Sequence, residues 1–179
     1  MLVKQGVKLD RIIIEKHIDD NPDTSWIGEY TDKWDDHNIC CCCGEYLMDI
    51  DHPVPERGRN FRYFSPYGHG YKRDEEEYDR AAKHDFKRME GLNRGDWCFI
   101  GINAKALTSY ELQQNTHFIE DFSSGGLWGI ESDSDEHYII EVVEEQLDEL
   151  KDHIDRFNVD LLNWDELRRE AIEKFQEQM

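Results

Sequence analysis

The feature that most constrains the fold is an apolar stripe that repeats every three or four residues between positions 135 and 157. Its large side chains are Ile139, Val143, Leu147, Leu150, Ile154 and Phe157. This spacing is typical of one face of an α-helix, and such a face must be buried against another element. Ser132 and Asp135 resemble a capping box at the start of this helix, with Asp in place of the more usual Glu.

Three extended segments just before the helix can supply the surface that it needs. An apolar run from Trp97 to Leu107 predicts a strand that bends near Gly101, and a second strand is expected around residues 117–122. A short third strand would contain Trp128 and Ile130, and the glycine between them indicates a bulge or a close backbone approach. We expect Trp128 to belong to the core.

The rest of the chain adds strands and two more helices. Residues 7–18 and 60–64 are rich in β-branched or aromatic residues and predict strands. Apolar stripes predict a helix that opens at Asp74 and a final helix that opens at Asn163, where Glu166 would complete a capping box.

The order of these elements is strands, helix, strands, helix, helix, which predicts an α+β fold rather than alternating βαβ units. We expect an antiparallel sheet covered by two to three amphipathic helices, together with a small Cys/His hairpin. The length of 179 residues suits a single domain spanning 1–179, with residues 31–58 forming a zinc-knuckle-like insertion.

The most unusual local feature is the run Cys40-Cys41-Cys42-Cys43-Gly44. Cys40 and Cys43 have the C-x-x-C spacing of zinc sites, and a glycine after the second cysteine permits a tight turn. Two histidines, His37 and His52, would complete a four-ligand structural zinc site. The alternative is a buried hairpin in which the cysteines serve as small hydrophobic residues.

Charge sets further limits on function. The chain has 41 acidic and 21 basic residues, for a net charge of −20. This balance argues against direct binding to nucleic acid or to anionic membranes, and it favours a partner with a basic surface. No apolar run approaches 18 residues, so no transmembrane helix is predicted. Adjacent cysteines do not suit a disulfide framework, so we expect a reducing cytoplasm.

The negative charge is concentrated on the predicted helix, on the face opposite its apolar stripe. We expect this acidic face to bind a partner, through Glu141, Glu144, Glu145, Asp148, Glu149 and Asp152. The alternative is an ordinary solvated helix face.

Several longer sequence stretches, above all GDWCFIGI at 95–102 and SGGLWGIESDS at 124–134, resemble small acidic proteins carried by bacteriophages and mobile elements. The resemblance spans about residues 20–155 and does not include the cysteine run. Phage accessory proteins often counter host defence. By analogy, the resemblance implies an anti-CRISPR or other anti-defence inhibitor.

Two functions are therefore expected from the sequence. The first is a non-enzymatic inhibitor of a host defence nuclease, such as a type II CRISPR effector with a basic nucleic-acid channel. Its acidic helix would compete for that basic surface, either by imitating phosphate charge or by blocking a domain movement. The second is a metal-dependent phage enzyme that uses the Cys/His cluster or the aspartates at positions 133, 135 and 148.

Overall fold

The computed structural model describes residues 7–45, 61–68, 71–72, 76–112, 116–157 and 159–179. The chain divides into two compact units, unit 1 (Met1–Asp20 with Phe99–Met179) and unit 2 (Asn21–Cys98). The predicted α+β class is confirmed, whereas the single domain with its 31–58 insertion stays a prediction. In chain order the elements are β1 (Val7–Ile18), β2 (Gly28–Thr31), β3 (Ile39–Cys40), β4 (Tyr63–Pro66), α1 (Glu76–Arg94), β5 (Phe99–Leu112), β6 (Thr116–Ser123), β7 (Leu127–Glu131), α2 (Glu136–Asp155), β8 (Val159–Asp160) and α3 (Trp164–Gln176).

Unit 1 contains a sheet in the order β6-β5-β1-β8, with β7 paired to the first residues of β5. The long strands are antiparallel, as predicted, and β1 faces β5 from Ile18 opposite Ile100 to Lys8 opposite Ser109. The sheet is nevertheless mixed, because β8 runs parallel to β1. Only two residues of β8 pair, which is too short a segment for a periodic signal.

The core of unit 1 lies between this sheet and its helices. Alternate residues of β5, namely Ile102, Ala104, Ala106 and Thr108, are fully buried, and α2 packs against β5 and β6 while α3 packs against β1. The predicted stripe of α2 is confirmed from Ile139 to Ile154. The prediction that Phe157 belongs to this stripe is wrong, since Phe157 follows the end of the helix and is half exposed.

The prediction that Trp128 belongs to the core is wrong, because its side chain is 50% exposed. In a regular strand Trp128 would share a face with buried Ile130. Gly129 instead has φ +77°, and the β5–β7 register shifts between Ile100 and Ile102. This bulge turns Trp128 to the opposite face, where its ring lies over Gly101. The bulge suggested by Gly129 is thus confirmed, and it is the reason for the misplaced tryptophan.

Both predicted capping boxes are wrong in detail. Asp135, not Ser132, caps α2, and its side chain accepts a bond from the His137 backbone N–H. A turn closed by the Ser134 N–H and the Glu131 carbonyl separates the helix from β7. Asn163 precedes α3 but makes no cap bond, because its side chain donates to the Leu9 carbonyl at 3.1 Å. None of the described helices combines the length and apolar character needed to cross a membrane.

Unit 2 contains a small antiparallel sheet in the order β2-β4-β3, with α1 packed against it. The buried residues Ile27, Ile39 and Phe64 form its centre, and Phe86 of α1 packs on Phe64 with ring centroids 5.6 Å apart. The predicted start of α1 at position 74 lies outside the described residues. α1 ends at Arg94, and the next residue, Gly95, has φ +77° and donates to the Leu92 carbonyl.

Candidate functional sites: a cysteine cluster and an acidic helix face

The four consecutive cysteines form a tight turn at the end of β3. Gly44 has φ +74°, and its N–H donates to the Cys40 carbonyl at 2.8 Å, while the Cys40 N–H donates to the Glu45 carbonyl at 2.9 Å. Beyond Glu45 the second arm of the predicted hairpin lies outside the described residues, and β3 also pairs with β4. The turn brings the thiols of Cys40, Cys42 and Cys43 within 4.8 Å of one another.

The three thiols are electrostatically different. Burial raises the pKa of Cys40, but hydrogen bonds from the Cys42 thiol and from the backbone N–H groups of Cys43 and Cys42 outweigh it and bring the pKa below its ordinary value. The hydrogen bond between the Cys40 and Cys42 Sγ atoms, which are 2.9 Å apart, raises the pKa of Cys42 to about 12. Burial raises the pKa of Cys43. Of these three thiols, Cys40 therefore loses its proton most readily.

Such a group can hold a metal ion, since thiolates are preferred ligands of zinc and other soft ions. Metal uptake would displace the remaining thiol protons, so it would strengthen as pH rises. All five cysteines of the chain are in the thiol form in this structure, and Cys41 is half-buried. Cys42 was not predicted as a ligand, because the C-x-x-C spacing specifies only Cys40 and Cys43.

The predicted ligand His37 belongs to a different group from the cysteines. His37 lies in a second group with Asp35 and Asp36, and its Nδ1 atom is 2.6 Å from the Asp36 carboxylate and 3.2 Å from that of Asp35. His52 lies outside the described residues. The ligand set of His37, Cys40, Cys43 and His52 therefore stays a prediction.

The acidic face of α2 is the second candidate site. All six carboxylates expected there are exposed: Glu141, Glu144, Glu145, Asp148, Glu149 and Asp152. At 3.6 residues per turn they cover an arc of about 140° on the side of the helix opposite its buried stripe. The face is therefore continuous over about three helical turns.

The six carboxylates differ in how far they are already engaged. Asp148 is 3.4 Å from Arg168 of α3, and Glu141 is 3.3 Å from His137 one turn earlier. Glu149 accepts a bond from the Gly125 backbone N–H at 3.1 Å. Across the part of the chain that the structure describes, Glu144, Glu145 and Asp152 make no ion pair or hydrogen bond. These last three are the carboxylates most available to a partner.

The loop between β6 and β7 has a structural role that the sequence did not reveal. Its Ser-Ser-Gly-Gly segment is hydrogen-bonded to α2 at three points. The Gly126 N–H donates to Gln146 at 3.0 Å, the Gly125 N–H donates to Glu149, and His153 lies 3.2 Å from the Ser123 carbonyl. Glu149 therefore positions this loop as well as contributing charge.

The aspartates considered as chelators do not come together. Asp135 caps α2 and Asp148 pairs with Arg168. Within the described ranges, the groups of three or more potential metal ligands are the cysteine trio and Asp35–Asp36–His37. Comparisons of the chain with protein families, with curated proteins and with solved structures found no match.

Proposed function

We propose that the protein binds a basic protein surface through the acidic face of α2, and that its partner is a nucleic-acid-handling nuclease. The proposed activity is inhibition of a host defence nuclease, with a type II CRISPR effector as the first candidate. One observation carries the proposal: three exposed carboxylates, Glu144, Glu145 and Asp152, have no ion pair among the described residues, on a helix whose opposite face completes the core.

Folding gives no reason for this concentration of charge. The stripe from Ile139 to Ile154 already anchors α2. Like charges three or four residues apart destabilise a helix by about 0.2–0.5 kcal/mol per pair. Glu141 and Glu145 form such a pair, and so do Glu145 and Asp148. A basic partner would remove that repulsion, because its cations would lie between the carboxylates.

A nuclease channel has the matching chemistry. CRISPR effectors hold their nucleic acid in positively charged channels and recognise its backbone rather than its sequence. The row Glu141, Glu145, Asp148 and Asp152 places about one carboxylate per 5.4 Å of helix. A rigid row of negative charges can compete for a surface that binds phosphates. The resemblance to phage and mobile-element proteins supports the same class of partner.

A pair of matched variants tests the proposal. Glu144→Gln, Glu145→Gln and Asp152→Asn together remove three negative charges from α2, and Glu166→Gln, Glu173→Gln and Glu177→Gln together remove three from exposed positions in or next to α3. We expect the α2 variant to bind a purified type II effector at least about tenfold more weakly, or about 1.4 kcal/mol. The α3 variant should bind like the parent protein.

The readouts are the Kd for the effector and DNA cleavage by the effector with each variant added. Equal affinities for the parent protein and the α2 variant, with both folded by circular dichroism, would eliminate the acidic face as the binding surface. Equal weakening by both variants would mean that net charge, not this face, attracts the partner.

The proposal includes a structural zinc ion in unit 2. The turn that gathers Cys40 and Cys43 supports it. His37 and His52 are the other ligands predicted from the sequence. Zinc in such a closed site would stabilise a short turn that buries little apolar surface of its own. Cobalt(II) binding and competition by zinc test both the ion and its ligands.

A metal-dependent enzyme is the second candidate. The observation in its favour is that the cysteine group supplies three sulfur ligands, and catalytic zinc sites keep an open fourth position. A screen for hydrolysis of phosphoesters and peptides with added zinc separates the two functions. Turnover that is lost in Cys40→Ser would favour the enzyme over the inhibitor.

A further inference from the structure

We infer that the metal site of unit 2 is a three-thiolate site formed by Cys40, Cys42 and Cys43, which takes a thiophilic ion such as Zn²⁺ or Cd²⁺. This inference rests on the metal ion of the proposed function and changes its ligands. Cys42 becomes a ligand, and His37 is not required. It is independent of the acidic face, which lies in unit 1.

The sulfur positions carry the inference. Three Sγ atoms lie within 4.8 Å of one another, with Cys40 and Cys42 at 2.9 Å. In a tetrahedral site with Zn–S bonds of about 2.3 Å, sulfurs are about 3.8 Å apart. Each sulfur–sulfur distance therefore needs to change by only about 1 Å to match a tetrahedral site. Cys42 and Cys43 are exposed and can make that adjustment, whereas Cys40 is buried in β3 and fixes the site.

The backbone of the turn favours negative charge at the same place. The N–H groups of Cys42 and Cys43 point at the Cys40 sulfur, and the positive φ of Gly44 closes the turn behind them. Hydrogen bonds to a charged sulfur are stronger than hydrogen bonds to a neutral one. This arrangement suits a cluster of thiolates around a cation better than a packed group of neutral side chains.

His37 is engaged elsewhere in the structure. Its ring lies against two carboxylates and in an edge-on contact with Tyr78 at 6.1 Å. Its nitrogens do not belong to the group that contains the sulfurs. Sulfur ligands without imidazole select soft ions, because thiolates bind zinc, cadmium and copper(I) more strongly than they bind magnesium or calcium.

Cobalt(II) binding to the full chain, purified reduced and without a His tag, tests the ligand set. The thiolate-to-cobalt charge-transfer band grows with each sulfur bound, and zinc competition then gives the affinity. In Cys42→Ser the intensity of this band should fall by about a third, because one of the three sulfur ligands is lost. Its zinc affinity should fall by about tenfold or more, since losing even a hydrogen-bond partner of a ligand costs about 10- to 100-fold.

Cys41→Ser is the matched control, because Cys41 lies in the same turn but outside the trio. We expect it and His37→Asn to leave the band and the affinity unchanged. A full band in Cys42→Ser with a weakened one in His37→Asn would overturn the three-thiolate site and leave the zinc of the proposed function standing. No cobalt or zinc binding by the parent protein would reject both. Melting of each metal-free variant checks that the substitution leaves the fold intact.

Discussion

Replacing Leu147 with alanine is expected to lower the free energy of unfolding of unit 1 by about 3–5 kcal/mol. Leu147 is fully buried in the middle of the α2 stripe, where the helix packs against β5 and β6. Its loss removes apolar contacts and leaves a cavity, because the rigid sheet beneath the helix closes only in part. Total stabilities are about 5–15 kcal/mol, so this one change would remove a large fraction.

Urea denaturation followed by far-UV circular dichroism measures this effect as a shift in midpoint. Glu144→Ala is the control on the same helix, since Glu144 is exposed and its replacement should change stability by less than about 0.5 kcal/mol. Similar midpoints for Leu147→Ala and Glu144→Ala would show that α2 does not bury its apolar stripe.

Replacing Gly28 with alanine is expected to destabilise unit 2 by about 3 kcal/mol or more. Gly28 has φ +140°, and an added Cβ would lie 2.4 Å from the Ser65 carbonyl oxygen. That oxygen belongs to the backbone of β4, which pairs with β2 at this point. Neither strand can move away without breaking the small sheet.

Gly95→Ala separates backbone strain from this clash. Gly95 also has positive φ, +77°, but nothing lies within 4 Å of the position of its Cβ. Its substitution should cost only about 1–2 kcal/mol. Hydrogen exchange of the β2 and β4 amides is the measurement. Equal protection in the two variants would contradict the close approach of β4 to Gly28.

The long periodic elements were the most predictable part of this fold. β1 matches the expected residues 7–18, and the α2 stripe is correct from Ile139 to Ile154. In both cases many residues repeat one pattern, so a single misread position does not matter. Short features depend on single contacts instead. The β5–β7 bulge reverses Trp128, and the side chain of Asn163 reaches the Leu9 carbonyl rather than its own helix.

The candidate sites follow the same division. Exposure of the six acidic side chains follows from helical periodicity alone. The different contacts of these carboxylates do not follow from periodicity. Asp148 contacts Arg168, and Glu149 accepts from the Gly125 N–H, and both contacts join residues 20 or more positions apart. The inclusion of Cys42 in the thiol group depends on the turn geometry around Gly44, which spacing between cysteines does not specify.

Salt dependence of binding to a purified type II effector tests the central claim most directly. Between about 0.05 M and 0.5 M salt the Debye length falls about threefold. Binding through the acidic face predicts that the parent protein weakens strongly over this range. The Glu144→Gln, Glu145→Gln, Asp152→Asn variant should start weaker and change less. An affinity that is the same at both salt concentrations, in parent and variant alike, would contradict the proposal that the acidic face of α2 binds a basic surface.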